Sequence, residues 1–333
     1  MNKKTSKKIK IFIEIPTWLG DAVMTTPAIE NIVEASNDVE LTIFGSYVSS
    51  RLFVNHPNVK KIIVDETRKG GYRYYNLYKT AKNSGNFDFC ISLRKNFTTK
   101  LLCYFVDAKE KHIYKRFDKK LHTHQVIRYN DFINKSFCLE TIPNKLKIYL
   151  KKSELKEKKE ENTLPLLGLN PGATYGSAKR WYPEEFAKVA IQLSAKYNIK
   201  IFGGPGETEI AGDIEKSLQN AGITNYENLA GKTSVEELIE NISQLDLFIT
   251  NDSGPMHVAA AFAVPTVAIF GPTRHNETHQ WNNEHEMILR KEMECSPCMK
   301  RACPLKSESE NHACMKLITA DDVMQRLENE SLI

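Results

Sequence analysis

The 333-residue chain has no apolar run long enough to cross a bilayer. Its longest mainly apolar stretch, Val258 to Phe270, is interrupted by Pro265 and falls short of the roughly 20 residues that a spanning helix needs. A secretory h-region is also missing. Lysines at positions 3, 4, 7, 8 and 10 precede an apolar run, Ile11 to Ile15, that is short and carries Glu14, which does not fit a signal peptide. A cytoplasmic protein is expected. The chain has neither a Walker A loop nor a Gly-x-Gly-x-x-Gly fingerprint. It has no nucleic-acid-binding motif and no spaced aromatic stacking pattern, so nucleic acid is not expected as a partner. Disorder is excluded by 41% hydrophobic and 26% charged residues. Domains commonly run to about 100–200 residues, so this length implies two.

A modest net charge of +5 conceals an asymmetry. Residues 1–160 carry 31 Lys and Arg against 17 Asp and Glu, a net of +14; residues 161–333 carry 15 against 24, a net of −9. A half-chain that basic concentrates anionic partners by long-range attraction. Nucleic acid, acidic lipid head groups and an acidic saccharide all meet that description, and so does a merely solvated lysine-rich surface.

Strand-like and helix-like segments alternate. Lys10 to Ile15, Glu40 to Gly45, Lys61 to Val64 and Phe87 to Leu93 read as strands, with a helical stretch from the first of them to about Ala35. Residues 151–163 are nearly all charged, cannot fill a core, and read as a linker. A second series follows: strands at Leu164 to Asn170, Ile199 to Phe202, Leu245 to Thr250 and Thr266 to Phe270, a helix at Pro183 to Tyr197, and a final helix at Ala320 to Leu327 capped by Thr319. The pattern predicts an α/β chain of two Rossmann-like, doubly wound parallel-sheet domains, residues 1–155 and 156–318, with a C-terminal helix in 319–333. Ligands of such folds bind outside the carboxyl ends of the strands, in the cleft expected between two facing domains.

Three segments at strand ends carry polar chemistry. Trp18-Leu19-Gly20-Asp21 follows the first strand, and Asp21 is either a general base for an attacking hydroxyl or a helix cap. Pro27 implies a helix that starts near Thr26 or kinks there. Residues 170–181, Asn-Pro-Gly-Ala-Thr-Tyr-Gly-Ser-Ala-Lys-Arg-Trp, combine glycines, the hydroxyls of Thr174 and Ser177, and the charges of Lys179 and Arg180 ahead of a helix. That composition suits a phosphate, although an ordinary flexible loop has it too. Thr250-Asn251-Asp252-Ser253-Gly254-Pro255-Met256-His257 precedes an alanine-rich helix at Val258 to Phe262. The amides of Ser253 and Gly254 then head a helix, with Asp252 as cap; His257 is a ligand contact or a satisfied helix-face histidine.

Together these residues resemble the bacterial heptosyltransferases of glycosyltransferase family 9. Trp18 to Asp21 with Thr25-Thr26-Pro27-Ala28 is similar to the family's first loop, Pro171 to Trp181 to a form that separates subfamilies, and Asn251 to His257 to the donor-binding signature. The resemblance implies a GT-B fold, with the acceptor bound by the first domain and the donor by the second. It implies inverting, metal-independent transfer of heptose from ADP-L-glycero-β-D-manno-heptose to the first heptose of the lipid A–Kdo inner core, at the cytoplasmic face of the inner membrane. By position, Asp21 is the base; Thr174 and Lys179 contact the diphosphate or sugar; Asp252 holds the heptose hydroxyls; Ser253, Gly254 and His257 line the phosphates; Glu207 reaches the ribose. Leaving-group charge would be met by Lys179 and by backbone amides. Arg68, Lys69, Arg94, Lys95 and Lys100 are candidates for the anionic acceptor. The alternatives are a family 9 transferase for another sugar or inner-core position and a nucleotide-sugar epimerase of the same architecture.

Seven cysteines complete the inventory. Cys90, Cys103 and Cys138 lie among apolar neighbours and read as buried free thiols. Cys295, Cys298, Cys303 and Cys314, with His312 nearby, supply enough ligands for a structural tetrahedral zinc. Free thiols and a disulfide are the other states, the last disfavoured in the cytosol.

Overall fold

The computed structural model describes residues 8–36, 38–115, 122–151 and 163–333. The lysines at 3, 4 and 7, and all but the ends of the expected linker 151–163, lie outside the described residues. The chain divides after Lys151 into two compact units.

In the first unit, β1 (Ile9–Glu14), β2 (Val39–Gly45), β3 (Val59–Val64), β4 (Asn86–Ser92) and β5 (Asp107–Ile113) form one sheet in the order β3-β2-β1-β4-β5. Every pairing in it is parallel. Central β1 is buried on both faces and is accordingly an almost unbroken apolar run. Helices Arg73–Lys82 and Phe97–Phe105 pack side by side. Their inner stripe of Leu77, Ala81, Leu102 and Cys103 closes a core with Phe12, Phe44 and Phe87. Helices Thr26–Glu34 and Gln125–Phe137 pack on each other, joined through buried Asn31 and Asn130 at 2.7 Å.

In the second unit, β6 (Leu166–Asn170), β7 (Asn198–Ile201), β8 (Tyr226–Asn228), β9 (Leu247–Asn251), β10 (Thr266–Phe270) and β11 (Glu286–Arg290) form a parallel sheet in the order β11-β10-β9-β6-β7-β8. Helix Pro183–Leu193 ends four residues before the expected Tyr197, where the Ser194 hydroxyl folds back onto the Ile191 carbonyl. The C-terminal helix Ala320–Asn329 begins at Thr319 with a capping box, as expected, and packs on Pro183–Leu193 within this unit. The edge strands β5, β8 and β11 have no counterpart among the expected elements. β5 reads Asp-Ala-Lys-Glu-Lys-His-Ile and is largely exposed, so it carries no apolar signal.

Candidate active site

Each sheet reverses its winding once, and the sequence motifs gather at those points. In the first sheet the reversal separates β1 from β4, which pair through Glu14 and Ser92. Glu14 is 2% exposed. Its carboxylate accepts a 2.5 Å hydrogen bond from the Ser92 hydroxyl and pairs with Arg94 at 3.2 Å. Burial pushes the Glu14 carboxyl up, against the opposing pull of Arg94 and the hydroxyl. Arg94 therefore departs from its expected role: its guanidinium neutralises a buried carboxylate, and only 17% of its side chain is exposed. Arg68, Lys95 and Lys100 are exposed beyond β3 and β4. Lys69, also exposed, pairs with Glu66 at 2.7 Å.

Asp21 sits in the first turn of helix Leu19–Val23, half-buried. It is not a cap: Trp18 holds that position for its own helix and Thr25 for the next, which starts at Thr26 with Pro27 in its first turn. Helix Gln125–Phe137 brings Tyr129 within electrostatic reach. Burial first, and then the charge of Asp21, hold that phenol well above its usual range.

In the second sheet the reversal separates β6 from β9, which pair through Asn170 and Thr250. Asn251, fully buried, clamps both ends of the loop after β6. Its amide donates to the Pro171 carbonyl at 2.7 Å and its oxygen accepts from the Trp181 N–H at 3.0 Å. Trp181 is itself buried and anchored by its indole N–H to the Ile318 carbonyl. Asn170 donates to the hydroxyls of Thr250 and Ser253 at 3.2 and 3.1 Å.

That frame holds Lys179 against Asp252. The ammonium lies 2.5 Å from Asp252 Oδ2, which also accepts a 2.6 Å hydrogen bond from Thr273, and it stands 4.9 Å over the Tyr175 ring. Asp252 is 4% exposed and does not cap the helix, contrary to expectation. Lys179 and Thr273 hold its carboxylate, and Ser253 occupies the cap position without a side-chain hydrogen bond to the helix amides. The helix is Gly254–Ala261, four residues earlier than the alanine run suggested. Its first amides lack intrahelical partners, as at any helix start, and so favour an anion. His257 is buried in the first turns with Nδ1 unpartnered. Burial, assisted by the Lys179 and His279 charges, lowers its pKa to about 4, against the pull of Asp252.

Thr174 is exposed at the tip of the loop. Glu207 accepts from the Gly204 N–H at 2.8 Å. A Cβ at Gly172 would fall on the Glu207 carboxyl, so that glycine is what lets the two loops approach. Sequence reasoning missed Asn251 as a clamp, although it lies in the quoted motif, and Thr273. The latter follows Gly271-Pro272 directly after β10, and that turn was the available signal.

The clustered cysteines lie behind this loop. All four are free of disulfides, and they line one cavity of about 20 Å³ with His312 and Ala178; of the other three cysteines, Cys90 and Cys103 are buried as expected, whereas Cys138, the left-handed residue that ends helix Gln125–Phe137, is exposed. Among the described residues, no three His, Cys, Asp or Glu side chains are arranged to hold a metal ion. The His312 N–H donates to Cys303 Sγ at 3.2 Å. The segment is tied to the loop by Tyr175 to the Met299 carbonyl at 2.9 Å, by the Ala178 N–H to the Arg301 carbonyl at 3.0 Å, and by His312 to the Ala178 carbonyl at 3.0 Å.

The model of the family described as glycosyltransferase family 9 (heptosyltransferase) matches residues 83–308. The chain is 39% identical to lipooligosaccharide heptosyltransferase 2 of Campylobacter jejuni, over 96% of this chain and 98% of that one. It is 27% identical to the protein of the same name from Haemophilus influenzae, over 80% and 84%. The structure of Escherichia coli ADP-heptose LPS heptosyltransferase II superposes with a TM-score of 0.76 at 23% identity, over 96% of this chain and 98% of that one. E. coli heptosyltransferase WaaC with ADP superposes at 0.74 and 16%, over 96% and 99%. These last two likenesses carry the fold, two parallel-sheet α/β domains of the GT-B kind. With the family's motifs standing at the winding reversals of both sheets and the sequence match spanning nearly the whole chain, this protein belongs to glycosyltransferase family 9.

Proposed function

We propose that this glycosyltransferase moves L-glycero-D-manno-heptose from ADP-heptose to the first heptose of the lipid A–Kdo inner core, with inversion, in lipooligosaccharide or lipopolysaccharide synthesis. The observation that carries this reading is the 39% identity to a lipooligosaccharide heptosyltransferase 2 across almost the full length of both chains. The residues supply a coherent chemistry. Asp21 takes the proton from the attacking acceptor hydroxyl as its oxygen bonds to the heptose anomeric carbon. The bond from that carbon to the diphosphate breaks, and ADP leaves. Lys179 and the amides that head Gly254–Ala261 take up the developing phosphate charge, which requires no divalent ion. Asp252 holds the sugar hydroxyls; Thr174, Ser253, Gly254 and His257 complete the donor contacts, and Glu207 meets the ribose. Arg68, Lys69, Lys95 and Lys100 meet the anionic acceptor. Among the described residues no helix is long and apolar enough to cross a membrane; the proposed location is peripheral, at the cytoplasmic face of the inner membrane.

In the second unit, Cys295, Cys298, Cys303 and Cys314 line one cavity, and although they are not arranged as a metal site in this structure, four thiolates are the ligand set a structural zinc would take. Its role is to brace the Lys179 loop, with no part in the reaction. Metal analysis of protein purified without chelators is expected to give one zinc per chain, and none in a variant with Cys295 and Cys298 changed to Ser. Metal-free wild-type protein with full thermal stability would remove the ion.

The function is tested by transfer from ADP-heptose to inner-core acceptors bearing zero or one heptose. ADP release with a one-heptose mass gain on the one-heptose acceptor is expected. Gain on the heptose-free acceptor alone would change the step, and gain on neither would overturn the donor or the reaction.

A further inference from the structure

Helices Arg73–Lys82 and Phe97–Phe105 spend their apolar inner stripes on the core, yet their outer faces are not polar in the ordinary way. Tyr72, Tyr74, Tyr75, Tyr78, Phe97 and Tyr104 are exposed by 43 to 76%. Four of them meet across or along the two helices: Tyr74 meets Phe97 edge to face at 6.3 Å, and Tyr78 meets Phe105 at 5.2 Å, which in turn meets Tyr104 at 5.5 Å; Tyr72 and Tyr75 are their exposed neighbours in sequence. A contiguous exposed aromatic patch marks an interaction surface.

The charge around the patch selects the partner. Residues 67–106 contain eight Lys and Arg and a single acidic residue, Asp88. Asp88 is paired with Lys109 at 2.6 Å and also accepts the Lys10 N–H. Lys79, Lys82 and Lys100 are exposed on the same two helices as the aromatics. Rings with an apolar body and a polar tip, interleaved with an excess of cations over carboxylates, match the interface of an anionic bilayer. There tyrosines settle at head-group depth, and lysine stems lie along the acyl boundary with their charges in water. Each basic side chain near such a surface contributes about 1 kcal/mol, a factor of about five in partitioning.

The geometry points to this two-helix face as a docking surface for anionic phospholipid. Its position suits the proposed reaction, on which this point alone rests. Phe97 opens its helix directly after Lys95 and Asn96, whose side chain caps it from the Thr99 N–H at 2.9 Å. The aromatic patch thus continues from the loop assigned to the acceptor's anionic groups.

The test is flotation of the full chain with vesicles of phosphatidylglycerol and phosphatidylethanolamine, containing no acceptor, beside vesicles of phosphatidylcholine. Binding to the first and not the second is expected, weakening between 0.05 and 0.5 M salt. Tyr75→Ser with Tyr104→Ser is expected to reduce partitioning at least ten-fold, and Lys79→Glu with Lys82→Glu at least as much. Both pairs are exposed, so melting temperatures should stay at the wild-type value, as should transfer to a detergent-dispersed acceptor. No binding without acceptor, equal flotation of the variants, or a wild-type dimer that the variants dissociate while lipid binding persists would each overturn the proposal. Transfer without vesicle binding defeats the docking surface alone; vesicle binding without transfer defeats the heptosyltransferase reading alone.

Discussion

The ammonium of Lys179 and the carboxylate of Asp252, 2.5 Å apart and both largely withdrawn from water, neutralise each other at the point where the second sheet reverses its winding. Removing one member of such a pair leaves the other buried and uncompensated, at a cost of about 3 kcal/mol or more. Lys179→Met should therefore lower the melting temperature as well as weaken the donor. Adding Asp252→Asn should restore much of the stability, because a neutral amide can still accept from Thr273. It should restore no transfer, because the charge proposed to meet the donor phosphates is still missing. Thermal melts and donor titrations on the two single variants and the double variant check this. A double variant no more stable than Lys179→Met would show that the pair is not the source of the loss.

As the proposed base, Asp21 should act on chemistry and not on donor binding. It stands at the winding reversal of the first sheet, on a helix it does not cap. Asp21→Ala should lower kcat by a factor of about 100 to 10,000, the usual range for a general base. Calorimetric affinity for ADP-heptose should stay within two-fold. Retained turnover would remove Asp21 from the mechanism.

Much of this was legible in the sequence because parallel strands buried on both faces are written as apolar runs, and β1, β2, β9 and β10 are such strands. The polar segments after β1, β6 and β9 stood out by contrast with them. What stayed hidden has specific physical causes. β5 is an exposed edge strand built from Asp107, Lys109, Glu110 and Lys111, and its pairing with β4 leaves no periodic mark. Arg94 looked like a ligand for an anionic acceptor because Glu14 lies 80 positions earlier, and only the pairing of β1 with β4 brings the two charges together. The capping role expected of Asp252 failed for the same reason: Lys179 and Thr273 reach it from two other strand ends.

His257 gives the second unit a pH dependence of known sign. Its pKa is about 4 in the fold against 6.5 as a free side chain, so the folded state binds fewer protons between those values. The associated stability is complete above about pH 6.5 and is lost as pH falls toward 4, a loss of about 3 kcal/mol at 1.36 kcal/mol per unit. The groups that face it are Asp252, Lys179 and His279. Urea midpoints measured between pH 7 and 4.5 should fall more steeply for the wild type than for His257→Leu, which cannot take up the proton. Parallel slopes would mean that the imidazole is protonated without cost, and that it is not as isolated as its unpartnered Nδ1 indicates.

At Gly176 the cysteine segment and the Lys179 loop leave no room for a side chain. A Cβ placed there would fall on the backbone of Arg301, whose carbonyl accepts the Ala178 N–H at 3.0 Å. Neither side of this contact is the flexible end of a side chain, so one backbone must move. The Ser177–Lys179 turn begins at the next residue, and displacement there carries the ammonium away from Asp252. Gly176→Ala should therefore weaken donor binding by roughly ten-fold or more, as misplacement of a positioning group by about an ångström can. Gly206→Ala, where a Cβ meets nothing within 4 Å, should not. Donor titration of the two alanine variants makes the comparison, with urea unfolding as a control for the fold. Equal affinities would mean that the loop yields without moving Lys179, and that the cysteine segment supports the second unit without setting the geometry of the proposed donor site.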